Sequence, residues 1–188
     1  CSPRKGKTTA AAVQTCLDAA KAANADIETE LIELADLSIP GQVAAGQPLA
    51  PGQEDDFPGL IPALADQQVR GMIVGSPVYF SNMSALAKAF LDRCIAFRKR
   101  GFALSGKVAG IVAVGGARNG GQELTVQSIQ AALLSQEMIV VGTGRPTGRI
   151  GATLWSQKGS IEGDEFGLQT ARDLGRRVAE VALALAGA

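Results

Sequence analysis

The 188-residue chain contains no histidine. Without imidazole it can build no Ser-His-Asp triad, no Cys-His pair, no His-ligated metal and no His-based acid–base step. Cysteine is almost as scarce. Cys1, Cys16 and Cys94 are far apart and form no CxxC pair, which leaves them short of the four thiolates of a cysteine-ligated iron–sulfur cluster or structural zinc. No metal site is expected. They offer no disulfide framework either, so a reducing compartment is expected. Aromatics make up 4% of residues, too few to stack a run of bases. Eighteen basic and 18 acidic residues cancel, and no global field draws the chain to nucleic acid or acidic lipid. No apolar run approaches the roughly 20 residues that span a bilayer. With no signal peptide visible, a cytoplasmic protein without a membrane partner is expected.

Hydrophobic residues reach 46% while charged residues are 19%, against a usual charged fraction of about 25%. That balance describes one well-buried domain over residues 1–188. Val13, Leu17 and Ala20 at helical spacing predict an amphipathic helix from Thr8 to about Asn24. Ile27 to Leu34 (IETELIEL) reads as a strand near a sheet edge. Ser38 to Pro58 carries Pro40, Pro48, Pro51 and Pro58, an irregular excursion longer than most connections. A short helix follows over Gly59 to Val69, with Pro62 in its first turn. Three nearly continuous apolar runs come next, at Gly71–Gly75, Val108–Val114 and Met138–Val141, the pattern of parallel strands buried on both faces. Helical patterns cover Met83–Arg98, Gln122–Ser135 and Asp164–Ala186, so strand and helix alternate as in an open α/β sheet.

Three segments rich in glycine or hydroxyls sit where strands end or helices begin. In an open parallel sheet, ligands bind in the crevice beyond the carboxyl ends of the strands. The first, CSPRKGKTT from Cys1 to Thr9, precedes the opening helix and brings hydroxyls, free amides and three cations. Those are the ingredients of a phosphate cradle; the plain alternative is an N-cap among solvated lysines. The segment is one residue from the Walker A pattern, with Cys1 in place of its first glycine. A P-loop nucleotide hydrolase also needs a strand ending in aspartate to hold magnesium. The runs GMIVGSP and GIVAVGG end without one. In the second segment Tyr79 and Phe80 lie among Ser76, Ser81, Asn82 and Ser84, which suits a flat heteroaromatic ligand with polar edges. Two core aromatics at a strand end would read the same way. The third, Gly115 to Glu123, has four glycines and Arg118, letting backbone approach a ligand or simply turn. Cys16 and Cys94 fall in helical patterns as small buried hydrophobes.

Together these segments resemble the NADPH-dependent FMN reductase and iron–sulfur flavoprotein group of the flavodoxin-like fold. The family's opening loop reads like GSPRxxxNT, matched here by Ser2, Pro3, Arg4 and Thr9. Its second signature resembles SPVYFGNMSAxLKAFIDR; Ser76 to Arg93 reads SPVYFSNMSALAKAFLDR. Its third resembles GGxxxGGQE, matched by Gly115, Gly116, Gly120, Gly121, Gln122 and Glu123. The resemblance implies a three-layer open parallel sheet of order 2-1-3-4-5, with FMN as cofactor. By resemblance Ser2, Arg4, Lys7, Thr8 and Thr9 hold the FMN phosphate. Pro77, Val78, Tyr79, Phe80, Ser81, Asn82 and Met83 line the isoalloxazine, and Gly115, Gly116, Arg118, Gly120 and Gly121 meet its far edge. Hydride then passes from NAD(P)H to the flavin and on to a flavin, quinone or electron carrier, with no catalytic side chain needed. The alternative is a non-enzymatic FMN electron carrier, a class usually acidic around its flavin, unlike this neutral chain.

The resemblance also implies a homodimer or homotetramer, with Lys88, Asp92 and Arg93 near one helical face as interface candidates. Two departures stand out. The segment SIPGQVAAGQPLAPGQEDDF, where cluster-bearing members carry cysteines, has none, so no cluster is expected. The fold's central first strand should precede Cys1, so about five to ten further apolar residues are expected upstream.

Overall fold

The run Val108-Ala-Gly-Ile-Val-Ala-Val is apolar at every position because both of its faces are covered. In the computed structural model, which describes residues 1–187, it forms β2 (Val108–Gly115) and is buried along its whole length. β1 (Gly71–Pro77) pairs with it in parallel, Gly71 opposite Val108 through Pro77 opposite Val114. On its other edge lie β3 (Ile139–Val140), opposite Val108 and Ala109, and β4 (Ala152–Trp155), opposite Val112 to Gly115. Both are also parallel. β3 and β4 thus occupy one edge end to end, separated by a loop over 141–151.

Successive β2 residues face opposite sides, and each side has its own layer. Val108, Val112 and Val114 meet α1 (Thr8–Ala23) and α6 (Glu165–Ala186). Ala109, Ile111 and Ala113 meet α2 (Phe57–Ala65), α3 (Ala85–Arg93), α4 (Ile95–Arg98) and α5 (Gln122–Leu134). α1 and α6 pack closely because Gly175 lies against the carbonyl of Cys16, where no side chain fits. The three layers and the parallel sheet are those expected. Phe57, Phe90 and Phe97 form an aromatic cluster in the second layer, with ring centroids 5.9 and 6.0 Å from Phe57. Full burial of one such ring stabilises by about 1.5–3 kcal/mol.

Several elements differ from their sequence reading. Ile27–Leu34 carries no strand; among the described residues it has no strand neighbour to complete a ladder. The sheet accordingly shows the 3-4-5 side of the expected order and not its other half. α2 starts at Phe57, two residues before the expected Gly59, so Pro58 fills the first turn and Pro62 lies inside the helix. The pattern over Met83–Arg98 breaks at Cys94 into α3 and α4. β4 was hidden in a glycine-rich stretch.

The excursion over 38–56 is tied down rather than loose. Arg93 makes a two-pronged ion pair with Asp55, at 2.7 and 2.9 Å, and also donates to the Pro40 carbonyl. Its guanidinium lies 4.7 Å from the centre of the Phe57 ring. Arg93 is therefore buried and does not share the exposed face of Lys88 and Asp92, which pair with each other at 2.6 Å. That removes Arg93 from the expected interface set.

Candidate functional site

The opening loop ends at Lys7, the N-cap of α1, whose side chain makes no capping bond. The first amides of a 16-residue helix are thus left without a side-chain acceptor, and the helix dipole adds positive character there. Ser2 is buried and its hydroxyl accepts from the Arg4 amide at 3.1 Å, folding the loop back on itself. Thr8 and Thr9 are buried in the first turn, while the Arg4 and Lys7 side chains are exposed. Two acids reach this loop from the segment after Ile27. Glu33 accepts from the Gly6 amide at 2.8 Å, and Asp36 pairs with Lys5. An anion is already held by one loop amide, and that anion is a carboxylate.

The second loop follows β1. The Val78 amide donates to Val114, and Tyr79 and Asn82 exchange backbone bonds of 2.8 and 3.1 Å. The two residues between them, Phe80 and Ser81, have φ of 50° and 60°. Such angles cost energy for side chains other than glycine, and strain of this kind concentrates at functional sites. The turn leaves the Phe80 ring wholly exposed and Tyr79 partly so. Neither is a core aromatic. The Asn82 carboxamide accepts from the Met83 amide at 2.8 Å and closes the turn.

Ser84 joins the first two loops. Its hydroxyl donates to the Cys1 carbonyl at 2.7 Å and caps α3 by accepting from Ala87, while its amide donates to the buried Ser76 hydroxyl. The third loop touches the second at Gly121. There φ is 99°, and a Cβ would lie 2.5 Å from the Ser81 Cα. Gln122 braces the glycines from within: its carboxamide accepts from Gly120 and donates to Ala117 and Leu154. The Trp155 indole donates to Gly116 at 3.2 Å.

Arg118 is engaged inside the protein. Its guanidinium bonds Asp164 at 2.7 Å and lies 5.2 Å from the centre of the Trp155 ring. Asp164 is fully buried and also accepts from the amides of Trp155 and Gly167. Burial would raise its pKa, but the Arg118 bond and the two amides outweigh that and hold it below the usual carboxylate value. Asp164 and Trp155 were absent from the expected site set, and Ser84 was read only as a polar neighbour of the second-loop aromatics, not as the link to Cys1. The signal for Asp164 and Ser84 lies in their places, each a short polar residue directly before a helix. Trp155 had no such signal, because its strand was not foreseen.

All three loops lie at the carboxyl end of the sheet and are hydrogen-bonded or packed onto one another. The arrangement presents uncapped helix amides and cations at one end, with an aromatic turn facing a glycine-rich wall. That donor set fits a phosphate joined to a flat, polar-edged ring, the chemistry of FMN. Among the described residues no helix is long and apolar enough to cross a membrane, and no cluster of acidic or sulfur side chains is placed to hold a metal ion.

Comparisons with known proteins place the chain among flavoproteins. The family model of NADPH-dependent FMN reductases matches residues 1–148. An iron–sulfur flavoprotein of Methanocaldococcus jannaschii is 41% identical over 184 residues, covering 96% of this chain and 93% of its own. An iron–sulfur flavoprotein of Methanosarcina thermophila is 32% identical over 185 residues, covering 96% and 91%. Among solved structures, an NADH:FMN oxidoreductase aligns with TM-score 0.63 at 22% identity, over 97% of this chain and 86% of that one, which speaks to the fold.

The cluster in the relatives' name does not fit the residues here. The segment over 38–58 has no cysteine. Cys16 and Cys94 are buried, and burial pushes both thiols well above their ordinary value, away from the thiolate a cluster requires. With its three signature loops on one rim and the family model covering most of its length, the chain belongs to the NADPH-dependent FMN reductase family of FMN-dependent oxidoreductases.

Proposed function

We propose that the protein takes hydride from NAD(P)H through bound FMN and hands the electrons to a small acceptor or carrier: a flavin, a quinone or an electron-transfer protein. The observation that carries this reading is the joining of the three loops, by Ser84 to Cys1 and by Ser81 to Gly121, into one rim. Bound FMN supplies the two-electron chemistry, and the protein supplies position and electrostatics. The amides of α1 and the hydroxyls of Ser2, Thr8 and Thr9 bind the phosphate, with Arg4 and Lys7 adding charge. The backbone of Pro77 to Met83, including Val78, orients the ring edge. Gly115, Gly116, Gly120 and Gly121 let the opposite wall come close. Arg118, held by Asp164, keeps that wall in place rather than reaching freely for the ligand.

The exposed Phe80 and the exposed apolar residues Leu124 and Leu134 of α5 fit a homo-oligomer, dimer or tetramer. The three free cysteines fit a reducing compartment such as the cytoplasm.

Arg4 tests the phosphate end. Arg4→Ala should weaken FMN binding by about tenfold, the effect of one charge-assisted bond partly screened by solvent. Fluorescence titration of FMN checks this. Unchanged affinity would remove Arg4 from the site.

A further inference from the structure

Opposite charges gather on the two sides of the sheet. The segment 26–36, on the β1 side, holds Asp26, Glu28, Glu30, Glu33 and Asp36 and no base. On the other side the loop over 141–151 parts β3 from β4 and carries Arg145 and Arg149, and α6 brings Arg172, Arg176 and Arg177 alongside it. A chain of zero net charge thus has a strong local positive field at that edge.

The arginine edge is held in one shape. The Thr143 amide donates to the Arg149 carbonyl at 2.9 Å and the Arg149 amide to the Thr143 hydroxyl at 2.7 Å, closing residues 143–149 into a ring. Asp173, buried in α6, accepts from the Thr147 amide at 3.2 Å, from its hydroxyl at 2.8 Å and from Arg176 at 3.0 Å. Arg176 also donates to the Arg145 carbonyl, so this side chain serves to hold the loop. Gly144, with φ of 67°, lets the Arg177 stem pack against the ring, 3.3 Å from where a Cβ would stand. The Arg149 guanidinium lies 5.4 Å from the centre of the Phe166 ring. Arg145, Arg149, Arg172 and Arg177 are exposed around the exposed apolar groups of Phe166 and Ile150. Among the described residues Arg145, Arg149 and Arg172 meet no carboxylate, and Arg177 shares Glu180 with Arg176. Like charges gathered on a rigid loop repel one another and reward only an oppositely charged partner. Arginine around an aromatic centre is also the composition of a docking surface. The platform begins beside the rim: Asp164 holds Arg118 of the glycine-rich wall, and Phe166 follows two residues later.

We propose that this arginine platform docks a small acidic protein, an electron carrier, and orients it beside the rim. The inference rests on the electron-transfer reading and selects the carrier among its acceptor classes. The two electrons of each hydride then leave one at a time to two carriers in turn, and its proton goes to solvent. Complexes of electron carriers are brief and bury less than about 1,200 Å2. Charge speeds their encounter and fixes their orientation, while a small apolar centre lets them part. Four exposed guanidiniums about Phe166 and Ile150 have that balance. Glu165 next to Phe166 and Glu180 next to Arg176 interrupt the positive surface, which suits the separate acids of a protein better than a continuous phosphate backbone.

Two carriers of opposite charge decide it. The FMN-loaded protein is titrated calorimetrically with a flavodoxin, which is acidic, and with a cytochrome c, which is basic. Flavodoxin should bind saturably at low salt, weaken as ionic strength passes about 0.1 M, and bind at least about tenfold more tightly than cytochrome c. Arg145→Gln, Arg149→Gln and Arg177→Gln together should weaken flavodoxin binding by about tenfold or more, whereas lysine at the same three positions keeps it within about threefold. FMN affinity stays unchanged in both variants, since none of the three side chains is placed on the rim. Absence of saturable flavodoxin binding, equal losses in the glutamine and lysine variants, or tighter binding of cytochrome c would overturn the platform. Tighter binding of a short DNA duplex would assign the edge to nucleic acid and overturn it too, as would arginine-dependent self-association through the acidic segment of a second copy. Binding is read without nicotinamide. Flavodoxin held through the three arginines by a protein that no nicotinamide bleaches keeps the platform and removes the reductase reading, and the converse pair of results removes the platform alone.

Discussion

Gly121 and Asp164 carry more of the rim than any charged side chain pointing into it. At Gly121 the φ of 99° and the Ser81 backbone 2.5 Å from any added Cβ exclude side chains on two grounds. Gly121→Ala should destabilise the fold by about 1–3 kcal/mol and loosen the contact between the second and third loops. Thermal melting and FMN titration of the variant check this; an unaltered FMN affinity would contradict a shared rim. Asp164 is ionised, buried and held below the ordinary carboxylate pKa, as are Asp55, beside Arg93, and Asp173, beside Thr147 and Gln169. For a depressed carboxyl the sign is fixed. Its stabilising contribution is complete above the unfolded value of about 3.9 and disappears as pH falls through the lower folded value. Asp164→Asn should therefore lower stability at neutral pH and flatten the acid limb below about pH 4. Denaturant melts at stepped pH measure both, and an acid limb of unchanged steepness would count against the assignment.

The elements were read from the sequence where one pattern dominated and missed where tertiary context decided. β2 was evident because all its positions are apolar, and α6 because its apolar face runs through 22 residues. The three loops stood out through glycines, hydroxyls and aromatics placed after strands. Their mutual bonds did not, since Ser84 to Cys1 joins residues 83 apart in the chain. β4 was lost among glycines, and Ile27–Leu34 had strand composition but, among the described residues, no partner to make it a strand. The burial of Arg93, next to the break between α3 and α4 at Cys94, was not legible either. Arg93 turns inward to Asp55, fastening the proline-rich excursion to the helix. Both side chains are largely buried, and removing one partner of such a pair strands a charge. Arg93→Met should cost about 3–5 kcal/mol, and Arg93→Met with Asp55→Leu distinctly less. Chemical denaturation of both variants tests this, and equal losses would contradict it.

At the scale of the whole molecule, a neutral, histidine-free chain arranges one chemical capacity at one end of its sheet. The absence of imidazole, the inert buried thiols and the backbone-lined rim all suit a reaction in which position matters more than acid–base exchange. The most direct test is an anaerobic absorbance titration of the FMN-loaded protein with NADPH and then NADH. Stoichiometric bleaching of the flavin by either nicotinamide within catalytic time is the expected result. A flavin that binds at the rim and stays oxidised with both would contradict the reductase reading and leave an electron carrier reduced by another protein.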